Sequence, residues 1–233
     1  MANTDNTALN GLKQISPILY DLQTRFLQVR ALAEVSKGDK TSLREIQLLS
    51  KHALATLDYA MFAVDSLQAE LPLTSVSAAA AAQDVAQDLW QLSKTYGVEL
   101  ELDVTRRLEP VYANEAALKG ALFGLVSSMI VSVQPTGKKM RFVIAAQQTA
   151  PKTQRLGVYS PDGVIGIDAI KQIRTLAGNA RSAAPAELHG SGLGLVVSDQ
   201  LTQALGSELQ RFTHRRQKGI GFYVPMSAQL SFL

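Results

Sequence analysis

A glycine-rich run near the C-terminus holds the residues best suited to chemistry, and it reads Gly190-Ser191-Gly192-Leu193-Gly194-Leu195. Glycines let a backbone approach phosphate oxygens closely, and the first amides of a helix point at such an anion with the positive end of the helix dipole. The apolar stretch from 196 to 205 predicts a helix directly after the run. The run therefore predicts a phosphate site at a helix N-terminus, although a tight turn into a helix uses the same residues without a ligand.

The composition limits the other chemistry that the chain can carry. No cysteine occurs among its 233 residues, which excludes disulfides, thiolate metal sites and cysteine nucleophiles. The three histidines are His52, His189 and His214. A net charge of +3 is too small to indicate nucleic acid, and we expect none as a partner. We interpret the basic cluster from Arg211 to Lys218 as the solvated edge of a strand and its turn.

The bulk properties are those of a globular protein. Hydrophobic residues make up 46% of the chain and charged residues 18%. No uncharged apolar stretch reaches the length of about 18 residues that a transmembrane helix needs, and the first ten residues do not resemble a secretory signal. The lack of cysteine fits a reducing compartment, so we expect a cytoplasmic protein.

Two amphipathic helices are predicted at the N-terminus. The apolar residues of the first recur three and four positions apart: Leu12, Ile15, Leu19, Leu22, Phe26, Val29 and Ala33. A polar turn follows, and Thr41 or Ser42 is expected to cap the second helix, with Glu45 completing a capping box. The second stripe has the same spacing: Leu43, Ile46, Ser50, Ala53, Leu57, Ala60, Val64 and Leu67.

Stripes of this width leave apolar surface that a two-helix hairpin cannot bury by itself. Two copies of the hairpin bury it as a four-helix bundle, so residues 1–71 are predicted to form a dimerisation domain of a homodimer. The alternative is that the hairpin packs on the C-terminal domain of its own chain. Leu71-Pro72-Leu73 ends the second helix, because proline cannot continue it.

Residues 72–233 alternate helices and strands. The pattern predicts a helix capped by Ser77 and stopped by Gly97, a strand at 98–104, a helix at 114–133, strands at 140–147 and 154–160, a loop at 178–189, a helix at 196–205, and strands at 208–214 and 221–225. This order predicts an α/β sandwich with helices on one face of a mixed sheet. With the helical hairpin before it, the fold class is α+β.

The element order and two motifs resemble the histidine kinases of two-component signalling. The glycine run matches the GxGLGL sequence that closes the ATP lid of that family, and the segment from Gly219 to Pro225 resembles the family's last strand. The resemblance covers nearly the whole chain. It implies a dimerising hairpin and an ATP-binding domain of the family that includes DNA gyrase, Hsp90 and MutL. It also implies ATP or ADP with Mg²⁺ as ligands, bound in part by Gly190, Gly192, Leu193, Gly194 and Leu195.

The predicted helix at 114–133 stands where the family has its asparagine box. Asn114 lies where an aspartate commonly starts that box. The two asparagine positions are Gly124 and Ser128 here, and in the family the second asparagine ligates Mg²⁺. The resemblance thus implies Ser128 as a weak metal ligand through its hydroxyl. The alternative is a small residue buried in a packed helix.

Adenine recognition in the family uses Asp-x-Gly-x-Gly after a strand. Here Asp162 and Gly166 supply an aspartate and a glycine, with one residue too many between them. In the usual register Ser160 takes the aspartate position. The alternative is a plain turn, because Pro-Asp-Gly is a strong turn former.

The phosphoacceptor region also departs from the family. Pro17 stands where the histidine belongs, and proline has no nucleophile. His52 is the histidine of the hairpin and hence the alternative phosphoacceptor. The other interpretation is an ordinary histidine on a helix surface.

Three functions remain open at this point. The first is a divergent histidine kinase-like signalling protein, a pseudokinase without ordinary autophosphorylation, for which nucleotide binding stays open. The second is an active ATP-dependent kinase or phosphotransferase that uses His52, Ser128 and Asp162. The third is a nucleotide-free dimeric interaction module, which docks a response-regulator receiver domain or another kinase.

Overall fold

A computed structural model describes residues 26–34, 39–66, 70–133, 139–161 and 192–227. The helices are α1 (residues 26–34), α2 (Lys40–Asp65), α3 (Ala78–Thr95), α4 (Glu115–Val131) and α5 (Gly192–Ala204). The strands are β1 (Thr74–Val76), β2 (Val98–Val104), β3 (Val111–Ala113), β4 (Met140–Ala150), β5 (Thr153–Ser160), β6 (Gln210–His214) and β7 (Gln217–Pro225).

Five strands form one sheet in the order β2-β4-β5-β7-β6, and β1 pairs with β3 in a separate two-stranded sheet. β2 runs parallel to β4, and the other neighbouring pairs of the large sheet are antiparallel. One face of this sheet shares a core with α3, α4 and α5, to which it contributes Phe142, Ile144, Leu156, Val158 and Phe222. The predicted α/β sandwich with helices on one face of a mixed sheet is confirmed.

Helix α4 is apolar on all sides because it lies inside the helix layer. Its buried residues run from Ala117 to Ile130, interrupted only by Lys119. Asn114 caps its start: Oδ1 accepts a hydrogen bond from the Ala117 amide at 3.0 Å, and Nδ2 donates to the Pro72 carbonyl at 3.1 Å. Among the described residues, no helix combines the length and apolarity needed to cross a membrane.

The helix boundaries test the capping predictions. Ser77 caps α3 by accepting a hydrogen bond from the amide three residues later, and Gly97, at φ +67°, follows its last turn, both as predicted. The capping prediction for α2 was wrong. Asp39 is the N-cap in place of Thr41 or Ser42, and its Oδ2 accepts from the Ser42 amide at 3.3 Å. A carboxylate is a good N-cap group, and the aspartate stands one turn before the amide that it binds.

Helix α2 packs against the C-terminal part of its own chain. Ala60 and Ala63 belong to the common core, and the rings of Tyr59 and Phe123 lie 5.2 Å apart. For this helix, the structure shows the alternative in which it packs on the C-terminal domain. Its opposite side carries exposed apolar residues: Leu43, Leu54 and Met61. Most of the predicted first helix lies outside the described residues, so the dimeric four-helix bundle stays a prediction.

Candidate functional site

Helices α4 and α5, which carry the predicted metal and phosphate positions, touch backbone to backbone. A Cβ atom added to Gly124 of α4 would lie 2.3 Å from the carbonyl oxygen of Gly194 in α5. A Cβ added to Gly194 would lie 2.8 Å from the carbonyl oxygen of Gly124. Because real Cβ atoms essentially never approach within 3.0 Å, both positions accept only glycine in this packing.

Small residues four positions apart extend this contact along both helices. They are Gly120, Gly124 and Ser128 in α4, and Gly194, Ser198 and Thr202 in α5, and all are buried. Ser198 Oγ donates a hydrogen bond across the interface to the Ala121 carbonyl at 2.7 Å. The interface is therefore filled by protein atoms, and a hydrogen bond fixes its register.

Ser128, the predicted metal ligand, lies inside this helix interface. It is 2% exposed, and its Oγ is 2.5 Å from the position of a Cβ on Gly194. Since a Cα–Cβ bond is about 1.5 Å long, the hydroxyl lies within about 4 Å of the Gly194 Cα. A Mg²⁺ ion keeps about 2 Å from each ligand, and a phosphate beyond it needs more room than this. The residues present do not fit an Mg²⁺–phosphate group between Ser128 and Gly194.

Metal chemistry finds no other support in the described ranges. They contain no group of three or more histidine, aspartate or glutamate side chains that could hold an ion.

A helix is present at the glycine run, as predicted, but α5 begins inside the run at Gly192, four residues before the predicted start at 196. Leu193 and Leu195 are 1% and 0% exposed and belong to the core. Their side chains lie in the core at the start of α5, the helix that packs on α4. The resemblance assigned these two residues to nucleotide binding, and in the structure their side chains pack in the hydrophobic core.

The remaining nucleotide positions are only partly described. Gly190, Asp162 and Gly166 lie outside the described residues, so the adenine prediction is not tested. Ser160 is the last residue of β5 and is fully buried.

His52, the alternative phosphoacceptor, is buried between α2 and α4. Its side chain stacks on Phe123 with the ring centroids 5.5 Å apart, and the residue is 5% exposed. The interpretation as a helix-surface histidine was therefore wrong. The side of α2 that includes Ala53 and Ala60 faces the chain's own core. His52 is next to Ala53 in the sequence and is buried on the same side.

A second polar cluster was not anticipated from the sequence. Asp103 on β2 and His214 on β6 stand on opposite edge strands, yet Asp103 Oδ2 lies 2.7 Å from His214 Nε2. Arg215 adds two bonds to the same carboxylate, from Nε at 2.9 Å and from Nη2 at 3.0 Å. The basic cluster that the sequence assigned to a solvated turn is thus anchored to the far edge of the sheet by one aspartate.

Glycines allow the β6–β7 hairpin to reach that edge. A Cβ on Gly219 would lie 2.1 Å from the Val158 carbonyl oxygen, and one on Gly221 would lie 2.2 Å from that of Leu156. Such close approach of β7 to β5 is typical of a tightly bent sheet, where glycine marks the bend.

The hydrogen bonds of His214 define its tautomer. In the orientation that satisfies its own amide, Gln147 donates from Nε2 to His214 Nδ1 at 3.1 Å, and its Oε1 accepts from Arg155. An accepting Nδ1 carries no hydrogen, so Nε2 carries it and donates to Asp103. Both ring nitrogens are engaged, which suits a structural link better than a free base.

Tyr159 packs on the His214 ring from the outer face of the sheet. The ring centroids lie 5.0 Å apart, and Tyr159 is 1% exposed. Burial raises the pKa of the Tyr159 hydroxyl to about 12, against a smaller lowering effect of Arg155. The hairpin therefore closes over an aromatic side chain that has lost its contact with water.

No protein-family model matches the sequence, and no curated protein matches it significantly. Solved structures do match. The histidine kinase AdeS of Acinetobacter baumannii superposes with a TM-score of 0.55 and 17% identity, over 89% of this chain and 98% of that one. A nucleotide-free catalytic domain of the histidine kinase ThkA gives 0.51 and 15%, over 66% and 95% of the two chains. Full-length ShkA in complex with AMPPNP gives 0.54 and 18%, over 95% of this chain and 45% of that one. At identities this low the likeness concerns the fold alone.

Proposed function

We propose that this chain, which has the fold of a histidine kinase catalytic domain, is a histidine kinase-like signalling protein that works through protein contacts without spending ATP. The observation that carries the proposal is the backbone contact between Gly124 and Gly194. In the kinases that the chain resembles, the asparagine box and the glycine box both serve the Mg²⁺–phosphate group. Here the two helices meet directly at those positions.

At positions 124 and 128 the family asparagines are absent, and the space that their side chains need is filled as well. An asparagine at position 124, as the family has, would place its Cβ 2.3 Å from the Gly194 carbonyl oxygen. An asparagine at position 128 would replace a buried serine that already contacts the same glycine. Restoring the family side chains therefore requires the helices to separate, at the expense of the packing in the middle of the core.

The described histidines also favour a role without autophosphorylation. Phosphoryl transfer needs a ring nitrogen within reach of the γ-phosphate. His52 is enclosed between α2 and Phe123. His214 uses one ring nitrogen toward Asp103 and the other toward Gln147. Neither histidine offers an open nucleophile in this structure.

The exposed apolar side of α2 suits a contact with another protein. We propose a homodimer formed through residues 1–71, which docks a response-regulator receiver domain or another kinase. The stripe of Leu43, Leu54 and Met61 on α2 supports this, because it points away from the chain's own core and stays exposed. Apolar stripes of this kind are typical of helices that pack on a partner helix.

A second candidate function is nucleotide binding through the phosphates alone. It is favoured by the start of α5 at Gly192, because the first amides of a helix have no partner within it and attract anions. On this alternative Gly192→Val weakens binding strongly, and ATP and GTP bind alike because adenine recognition contributes little.

Calorimetry with ATP and ADP, with and without Mg²⁺, tests the proposal. We expect no binding heat up to about 1 mM nucleotide. The variant with Gly124→Asn and Ser128→Asn restores both family side chains, and we expect it to lose stability without gaining nucleotide affinity. Ala116→Asn, on the exposed first turn of α4, is the matched control and should leave stability nearly unchanged.

Two outcomes of this experiment would overturn the ATP-independent function. Mg²⁺-dependent ATP binding by the natural chain would show that the helices open to admit the ligand. A gain of affinity in the double variant would show that only side chains had been lost. Binding without Mg²⁺ dependence that Gly192→Val abolishes would select the second candidate.

A further inference from the structure

Four exposed arginines lie in two loops that come close to the last residues of β2. Arg106 and Arg107 lie in the loop between β2 and β3, and Arg215 and Arg216 form the two-residue turn between β6 and β7. Asp103 joins the two loops, because it binds Arg215 through two hydrogen bonds and precedes Arg106 by three residues. Three residues span at most about 11 Å, so Arg106 lies within that distance of Asp103, the residue that also holds the β6–β7 turn. We call these four residues the arginine cluster.

Three members of the arginine cluster have a backbone conformation that disfavours arginine. φ is +60° at Arg107, +45° at Arg215 and +67° at Arg216, and no other non-glycine residue in the described ranges has a positive φ. A two-residue hairpin turn with both φ values positive is usually Asn-Gly, because a Cβ crowds the backbone there. Glycine would suit the fold better at these positions, so the fold does not account for the arginines.

Most of the charge in the arginine cluster is uncompensated within the described part of the chain. Arg215 shares the Asp103 carboxylate with His214, and its side chain is still 74% exposed. The other three arginines make no ion pair with a described carboxylate. Within the described residues, one of the four arginines is paired with a carboxylate, and the other three are exposed without such a partner.

We propose that the arginine cluster is a docking surface for an acidic segment of a partner protein, an inference that rests on the proposed function of the chain as a docking module. Arg215 and Asp103 already show the recognition geometry, a fork of two N–H···O bonds to one carboxylate. The same planar fork on the other three arginines fits glutamate and aspartate side chains. Asp103 already holds the β6–β7 turn in place, so this turn loses little conformational freedom when such a segment binds.

The distribution of charge favours a peptide over a nucleic acid. The arginine cluster is confined to two loop tips, and the whole chain has a net charge of only +3. Nucleic-acid affinity comes from several phosphate contacts along an extended basic surface. A short acidic segment needs only a few carboxylates to match four guanidinium groups.

Binding of a fluorescein-labelled hexaglutamate peptide, followed by fluorescence anisotropy at low salt, tests the proposal on the full-length chain. Arg107→Gly and Arg216→Gly remove a guanidinium where the backbone already prefers glycine. We expect each to bind the peptide at least about five-fold more weakly, while the melting midpoint stays equal or rises. Arg44→Gln removes one exposed positive charge from α2 and should not change the affinity. Added salt should weaken binding by the natural chain.

Three results would overturn the docking surface. Equal affinity of the natural chain and both glycine variants would show that the arginine cluster does not hold the peptide. A clear fall of the melting midpoint in both variants would show that the arginines serve the fold. A labelled hexathymidylate that binds more tightly than the peptide would assign the arginine cluster to nucleic acid.

Nucleotide calorimetry on the same protein keeps the two proposals apart. Absence of both peptide and nucleotide binding rejects the docking surface and leaves the ATP-independent function in place. Peptide binding together with Mg²⁺-dependent ATP binding rejects that function and leaves the docking surface in place.

Discussion

Asp103 and His214 belong to opposite edge strands of the five-stranded sheet, and a hydrogen bond of 2.7 Å joins their side chains. The β6–β7 hairpin must bend over the outer face of the sheet to make this contact. The bent hairpin covers Tyr159, which is buried, and its turn, formed by Arg215 and Arg216, lies beside β2. The Asp103 carboxylate on β2 therefore holds the β6–β7 turn, with its two arginines, beside the opposite edge strand.

Asp103→Ala should destabilise the protein by about 1–3 kcal/mol, because His214 loses its acceptor in a place that water hardly reaches. Urea unfolding measures this change, and hydrogen exchange should rise first in β6 and β7. Glu101→Ala on the same strand is the control, since among the described residues Glu101 pairs with the exposed Arg141 alone and should matter much less. Equal losses in the two variants would show that Asp103 is an ordinary surface acid.

Tyr159 should make the protein sensitive to alkali. Burial raises the pKa of its hydroxyl from 10.0 to about 12 in the folded chain. Its contribution to stability is complete below pH 10. Above that pH the unfolded chain releases the proton and the folded chain does not, so stability falls up to about pH 12, by about 2–3 kcal/mol in total. Urea unfolding at several pH values measures the slope.

Tyr159→Phe should remove this part of the alkaline slope, while Tyr112→Phe, at an exposed position, should keep it. The same slope in all three proteins would mean that the hairpin does not shield Tyr159.

Gly124→Ala tests the packing of α4 on α5. Alanine is the better helix former by about 1 kcal/mol, so propensity alone predicts a gain in stability. We expect a loss of about 1–3 kcal/mol, because the new Cβ would lie 2.3 Å from a backbone oxygen that cannot turn away. Gly194→Ala should also destabilise the protein, but less, because its nearest backbone oxygen lies at 2.8 Å and the closer Ser128 hydroxyl at 2.5 Å can rotate.

Thermal unfolding of both alanine variants gives the comparison. Ala116→Gly on the exposed first turn of α4 calibrates the propensity term. A stabilised Gly124→Ala variant would contradict the close contact and would show that there is room for a phosphate between α4 and α5.

Incubation with labelled ATP and Mg²⁺ should leave no acid-labile phosphate on the protein. The reason is the enclosure of His52 between α2 and Phe123. If label does appear, His52→Ala and His189→Asn identify the acceptor. Label that only His52→Ala removes would show that α2 detaches and would support the active kinase.

Light scattering at micromolar concentration tests the homodimer. We expect a dimer for the natural chain and a monomer for the variant with Leu54→Lys and Met61→Lys, which places two charges in the exposed stripe of α2. Both positions are about 60% exposed, so the fold should tolerate the change. Gln83→Lys, on the exposed side of α3, should remain dimeric. A monomeric natural chain would contradict the predicted homodimer.

The sequence by itself determined the local structure and the fold class. Ser77 and Gly97 bound α3 as predicted, Asn114 caps α4, and the apolar spacing predicted the strands of the five-stranded sheet, whereas the short strands β1 and β3 were not predicted. These features depend on residues within one or two turns of each other, so periodicity and capping chemistry suffice to find them. The α2 cap was missed because aspartate, threonine and serine are all good N-caps and stand within three residues of each other.

Only the tertiary structure decided what the predicted faces meet. An apolar stripe shows that His52 lies beside a buried face, but not that the face packs on Phe123 of the same chain. Glycine at position 124 indicates a lost asparagine, but not that a carbonyl oxygen of α5 occupies its place. Asp103 meets His214 across 111 positions of sequence. Such contacts depend on how the elements stack and bend, and periodicity within one element carries no information about its neighbours.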